Sequence, residues 1–142
     1  MNWVLLAALT ALFYGLYNLS IKISSGHIHQ IAGSVILQVT SALVGSGILA
    51  YLYMARDPLP VSTRGVWFAV LAGIFVGLAE ILSFTVFAKG VSASSGIPVI
   101  IGGTVVAGVL LGVVFLGETL RPVDWIAVIL IVAGTVILGT RG

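Results

Sequence analysis

Glu80 is the one acidic residue of the four in this sequence that stands inside a long apolar run rather than at its edge. It lies about three residues past the middle of the run Gly65–Ala88, roughly 4–5 Å along a helix axis at 1.5 Å per residue. A carboxyl at such a depth is expensive, and residues of this kind face a bundle interior or a wet cavity and mark transport pathways. Desolvation favours the neutral form of a carboxyl. Glu80 therefore suits a proton that comes and goes, or a counter-ion for a cationic substrate. The competing reading is a glutamate hydrogen-bonded to a neighbouring helix for packing.

Other polar and aromatic residues fall at matching depth. Asn18, Gln38 and the stretch Gly102-Gly103-Thr104 belong to the same layer as Glu80. Helical spacing places Tyr14, Asn18 and Lys22 along one stripe with Tyr17 beside it, and places Gly73, Gly77, Glu80, Phe84 and Phe87 on one face. Those two faces together would line a cavity with an acid, an amide and several aromatics. Aromatic rings near an acid suit an organic cation, and ordinary helix packing explains them equally well. Lys22 is close enough to a helix end to snorkel to the interface, with a salt bridge or anion contact as the alternative. Gly73-x-x-x-Gly77 and Gly108-x-x-x-Gly112 would allow helices to approach closely. Pro98, just after Gly96, would make a hinge or kink, or would be a harmless first-turn proline. His27 and His29 are a poor metal site without further ligands. The sequence offers no nucleophile–base pair, phosphate loop or acid pair of the kind an enzyme needs, and nothing in it calls for a cofactor or a metal.

These residues need helices that cross a membrane. The chain has 142 residues, 60% hydrophobic and 7% charged, against roughly 25% charged in a soluble domain. The natural solvent is lipid, and the expected class is an all-α membrane protein. A span needs about 20 mostly apolar residues. Five such runs occur: about Trp3–Ser24, Gln30–Tyr53, Gly65–Ala88, Ile97–Leu116 and Pro122–Leu138. The expected organisation is a single five-helix domain over residues 1–142. Arg56-Asp57-Pro58-Leu59-Pro60 stops the second span, because proline prevents helix continuation. Ser62 or Thr63 is placed to cap the third. Pro122 suits the first turn of the fifth, and Asp124 sits near its positive end. The run Lys89–Gly96 must break the chain, since about 50 residues at 1.5 Å each is too long for one crossing. The period-two alternation of a membrane barrel is missing. There is no cysteine, hence no disulfide framework and no thiolate site. A net charge of +2 is too small and scattered for nucleic-acid binding. The start lacks the positive n-region of a secretory signal.

Five spans put the two termini on opposite sides. The N-terminal side carries Arg56, Arg64 and Arg121, and the other side carries Lys22, Lys89 and Arg141. Basic residues in short loops normally orient a membrane protein; here the two sides balance. Either another signal sets one orientation, or copies insert both ways and pair antiparallel. Trp3, Trp67 and Trp125 begin the odd-numbered spans and Tyr51 and Tyr53 end the second, all on the N-terminal side. Trp and Tyr prefer the interface, so an antiparallel dimer would spread this belt over both faces.

The stretch Ile97-Pro98-Val99-Ile100, the run Gly112-Val113-Val114-Phe115-Leu116-Gly117-Glu118-Thr119-Leu120 and the run Trp125–Gly134 resemble the end of an EamA repeat of the drug/metabolite transporter superfamily. The Leu116-Gly117-Glu118 triplet followed by an apolar span ending in Gly134-x-x-x-Leu138 carries the likeness, and the five-span length extends it over essentially the whole chain. The resemblance implies half of a transporter, since full members hold two such repeats in inverted orientation around a central cavity, as an odd span count favours. With one copy per chain it implies a dimer, and the charge balance makes that dimer an antiparallel homodimer. The small multidrug resistance proteins, a four-span branch, work as antiparallel dimers with a membrane glutamate that exchanges protons for substrate. Their acid is on the first span, so Glu80 corresponds by analogy rather than by motif. Glu118 does match the family's motif glutamate, and at a helix end its expected role is structural.

The resulting expectation is a secondary transporter of small metabolites or lipophilic and cationic compounds. It would work by alternating access, with Glu80 as the candidate for proton coupling and Tyr14, Tyr17, Asn18, Gln38 and Phe84 beside it. Its expected partners are membrane lipid, a small-molecule substrate and a second copy, and its expected place is a prokaryotic inner (plasma) membrane, crossed several times. The rival readings are an accessory or hetero-dimer subunit and a lipid-linked sugar flippase component, in which Lys22 or an arginine near the cavity rim would meet phosphate.

Overall fold

A computed structural model describes residues 2–56 and 58–140. Asp57 in the second loop and Arg141 in the charge balance lie outside the described residues. Five helices follow in order among them: α1 (Trp3–Ser25), α2 (Gln30–Met54), α3 (Thr63–Ala88), α4 (Ala93–Leu116) and α5 (Pro122–Gly139). All five are long and apolar enough to cross a membrane. The most apolar stretch of each helix is at most 17% buried, so what these faces meet is lipid or another chain and not a water-excluding core. The protein is an all-α membrane protein with five membrane-spanning helices.

The ends of the helices follow from local chemistry. Ser62 rather than Thr63 caps α3, its Oγ accepting the Gly65 N–H at 3.1 Å. Pro122 opens α5, where a missing N–H costs nothing. The Asp124 carboxylate accepts the Arg121 backbone N–H at 2.9 Å and takes two more hydrogen bonds from the Arg121 guanidinium, each 3.1 Å. That side-chain hydrogen bond holds the Arg121 guanidinium above its ordinary pKa. Helix α4 starts at Ala93, before the apolar run begins, because Ser92 and its neighbours carry the first turn. Pro98 consequently lies inside the helix, where it removes one backbone hydrogen bond.

The chain forms two compact units. One is Ile21–Ala88, the end of α1 with α2 and α3. Here α2 packs on α3, and the buried residues are Gly33 and Ser34 on α2 and Glu80, Phe84 and Phe87 on α3. The start of α2 thus closes on the end of α3. Residues 63–76 of α3 are exposed throughout. The other unit holds the rest of the described chain, and in it α4 packs on α5.

Candidate functional site

The α2–α3 contact is built around a glycine. A side chain at Gly33 would begin 2.5 Å from the Phe84 ring, so the absence of one lets the ring come up against α2. One and a half turns further along α2, the Gln38 amide oxygen lies 3.2 Å from where a Gly77 side chain would begin. Gln38 is held there by its own helix, since its Nε2 donates to Ser34 Oγ at 2.9 Å. Ser34 is fully buried. Between these two contacts on the same face of α3 stands Glu80, three residues after Gly77 and four before Phe84.

Glu80 is 7% exposed, and its Oε2 is buried without a hydrogen-bond partner among the described residues. Packing glutamates in a bundle are ordinarily hydrogen-bonded, because an unsatisfied buried polar atom costs about 1–3 kcal/mol. Below it on α3, Phe87 is buried. Lys22 lies over its ring at 5.8 Å from the centroid and reaches the Phe87 carbonyl at 3.5 Å. Lys22 therefore serves the negative end of α3, where unpaired carbonyls favour a cation.

The remaining residues singled out from the sequence divide as follows. Gln38 and Phe84 share the α2–α3 contact, and Glu80 is buried on α3 between their contact points. Tyr14, Tyr17 and Asn18 belong to the other unit. Tyr14 and Tyr17 meet edge to face at 6.0 Å. Asn18 is buried and turns its amide back on its own helix, donating to the Tyr14 carbonyl at 2.8 Å. Gly73 and Gly108 have open space where a side chain would go, so neither small-residue pair acts as a pair within the chain. Gly112 makes room for Glu118, whose carboxylate would lie 2.5 Å from a side chain there. The Glu118 N–H also donates to the Gly112 carbonyl at 3.2 Å, and Gly117 takes the left-handed conformation (φ 67°) that turns the chain. The motif glutamate thus seals the end of α4.

Sequence reasoning missed Ser34, Gly33 and the Gly102–Thr135 contact. A side chain at Gly102 would overlap the Thr135 methyl group, which is how α4 and α5 come together. The Thr135 hydroxyl bonds to its own helix at the Val132 carbonyl, 2.9 Å away. Beside it runs an open groove of about 520 Å³, lined by Val99, Val106, Ala107 and Leu110 among others. Nothing in the sequence marks Gly33 or Gly102 as contact glycines among the eighteen in the chain; only the partner helix does.

The chain belongs to the EamA-like transporter family, whose family model matches residues 1–140. That family lies in the drug/metabolite transporter superfamily, and membership makes the chain an integral multi-pass membrane protein of a transporter family. No curated protein and no solved structure matches the chain.

Proposed function

We propose that the chain is a secondary transporter of small metabolites or lipophilic and cationic compounds, coupled to protons through Glu80. The observation that carries this reading is the Glu80 carboxyl, buried on α3 with an oxygen that has no partner among the described residues. A group so placed gains by binding a proton, and gains again by exchanging it for a cation. Tyr14, Tyr17, Asn18, Gln38 and Phe84 are the proposed companions in substrate binding. The functional unit is an antiparallel homodimer, in which two copies of this five-helix repeat enclose the pathway and rock to expose it to either side. The balance of three basic residues against three supports insertion both ways. The setting is a prokaryotic inner membrane.

The coupling is tested in proteoliposomes. A substrate gradient should drive proton movement with the native chain and not with Glu80→Gln, which keeps the side chain's shape but cannot ionise. Undiminished proton movement in that variant ends the role. Dual insertion is tested with C-terminal reporters that are active on one side only. Signal on both sides is expected; signal on one side alone ends the antiparallel homodimer.

A further inference from the structure

We infer, on the reading of the chain as an antiparallel homodimer, that the second copy docks along α4, with Lys89 of each copy facing Glu118 of the other. Lys89, α4 and Glu118 belong to one compact unit. Lys89 stands just before the start of α4 and Glu118 just after its end, so a spanning helix holds them at opposite membrane surfaces. Both residues are exposed, and neither makes an ion pair among the described residues. The other described acids are accounted for: Glu80 is buried in a span, and Asp124 is paired with Arg121. A carboxylate at the end of a helix lies beside unpaired carbonyls, where a cation is favoured and an anion is not. Glu118 therefore gains from a cation brought by another chain.

The signs of these charges select an orientation. Parallel copies joined along α4 would set Glu118 against Glu118 and Lys89 against Lys89. Antiparallel copies set each against its opposite, and do so twice, because a two-fold contact repeats every pair. Helix α3 offers no such pairing, since the residues flanking it, Arg64 and Lys89, are both basic. Lys89 lies 15 residues before Thr104 and Glu118 lies 14 after it, which puts the two-fold axis near Thr104. Ile101, Thr104, Gly108, Leu111 and Phe115 share one face of α4, on the side away from Gly102 and the α5 contact. All five are exposed. Gly108 has open space where a side chain would go. It leaves room for the second copy's Ile101, the residue of the same face across the axis, and small residues of this kind let membrane helices approach. The Thr104 hydroxyl is bonded to its own helix at the Ile100 carbonyl, 2.9 Å away, so the face makes no polar demand. Exposed ion pairs add little affinity. Their part here is to fix register and to reject the parallel arrangement.

The test is disulfide trapping in membranes, since the chain has no cysteine of its own. Lys89→Cys and Glu118→Cys chains with different tags are coexpressed and oxidised. In the mixed dimer the second, symmetry-related pair keeps its native charges. Helix α4 has 24 residues, about 36 Å at 1.5 Å per residue, whereas a disulfide needs Cβ atoms about 4 Å apart. A link between the two positions therefore joins antiparallel copies. A mixed dimer carrying both tags is expected, with no linked dimer from either variant expressed alone. Absence of the mixed dimer, or a Glu118→Cys chain linked to its own kind, overturns the inference. Glu118→Gln gives an independent readout, because it removes the charge without changing the balance of basic residues that governs insertion. It should lower the dimer fraction in detergent severalfold, and Glu118→Asp should retain it. An unmoved dimer fraction in Glu118→Gln also overturns the inference. Loss of the antiparallel reading itself would show separately, as C-terminal reporter signal on one side only.

Discussion

The α2–α3 and α4–α5 pairs solve the same problem in different ways. In each, two membrane helices come together where a glycine receives a side chain from its neighbour: Gly33 takes the Phe84 ring, and Gly102 takes the Thr135 methyl group. Small residues are the usual means of close approach in lipid, where the hydrophobic effect does not drive helices together. What differs is what each contact holds. The α2–α3 pair buries an acid, and its fully buried serine is bonded to a glutamine. The α4–α5 pair buries Gly102 against a threonine whose hydroxyl is spent on its own helix. The first pair thus holds buried polar groups, and the second holds a glycine–methyl contact. A polar group in hydrocarbon costs several kcal/mol when unsatisfied, and the carboxyl without a partner among the described residues stands on α3.

Substitutions can break this comparison or sharpen it. The largest effect is expected for Glu80→Gln, which should abolish substrate-driven proton movement while leaving the thermal stability of the detergent-solubilised chain unchanged or raised. A matching loss of folded protein would make Glu80 a packing residue and erase the distinction.

Next come the two glycines. Gly102→Ala places a methyl where the Thr135 methyl already stands, and overpacking of this kind costs about 1–3 kcal/mol. Thr135→Ala in the same chain should recover most of it, as measured by thermal unfolding. Gly33→Ala should cost a similar amount, again about 1–3 kcal/mol, by displacing the Phe84 ring. The contrast lies in the second readout: Gly33→Ala should also reduce substrate-driven proton movement, and Gly102→Ala should not. If both variants changed that movement alike, the two contacts would not be separable.

A smaller effect is expected at the Gly112–Glu118 seat. Replacing glycine by alanine within a helix gains about 0.5–1 kcal/mol in backbone entropy. The side chain it would meet is the free end of Glu118, which can swing outward. Gly112→Ala should therefore change thermal stability by less than about 1 kcal/mol in either direction. A large loss would mean that the Glu118 side chain, and not Gly117, holds the end of α4.

Much of the fold was legible before any coordinates. Apolar runs of the right length, punctuated by Arg56, Pro58, Pro60 and Pro122, place five spans because lipid leaves a spanning backbone little choice but a helix. The cap at Ser62 or Thr63 could be read for a local reason, since an orphaned N–H needs an acceptor within a few residues, and Asp124 could be placed at the positive end of the fifth helix. The start of α4 departs from the apolar run, since hydrophobicity marks the membrane and not the helix. The serines ahead of Ile97 are helical without being lipid-soluble, and Pro98 ends up inside the helix.

The site was legible in part. Depth along a span is a matter of counting, and it picks out Glu80 and Gln38 together. The face of a helix is likewise set by spacing, which aligns Gly77, Glu80 and Phe84. The glycines that matter are another case. Gly73 and Gly108 carry the motif spacing and meet open space, whereas Gly33 and Gly102 carry no motif and make the contacts. A glycine's role depends on what stands opposite it.

The sequence by itself determined the solvent, the number of crossings, the family and the one acid at membrane depth, because each follows from composition and from position along a single helix. Only the tertiary structure decided that Gln38 meets Gly77, that Phe84 meets Gly33, and that the Glu80 Oε2 is buried without a partner among the described residues. Those facts depend on which residues of two distant segments face each other, and spacing along one helix carries no record of its neighbour.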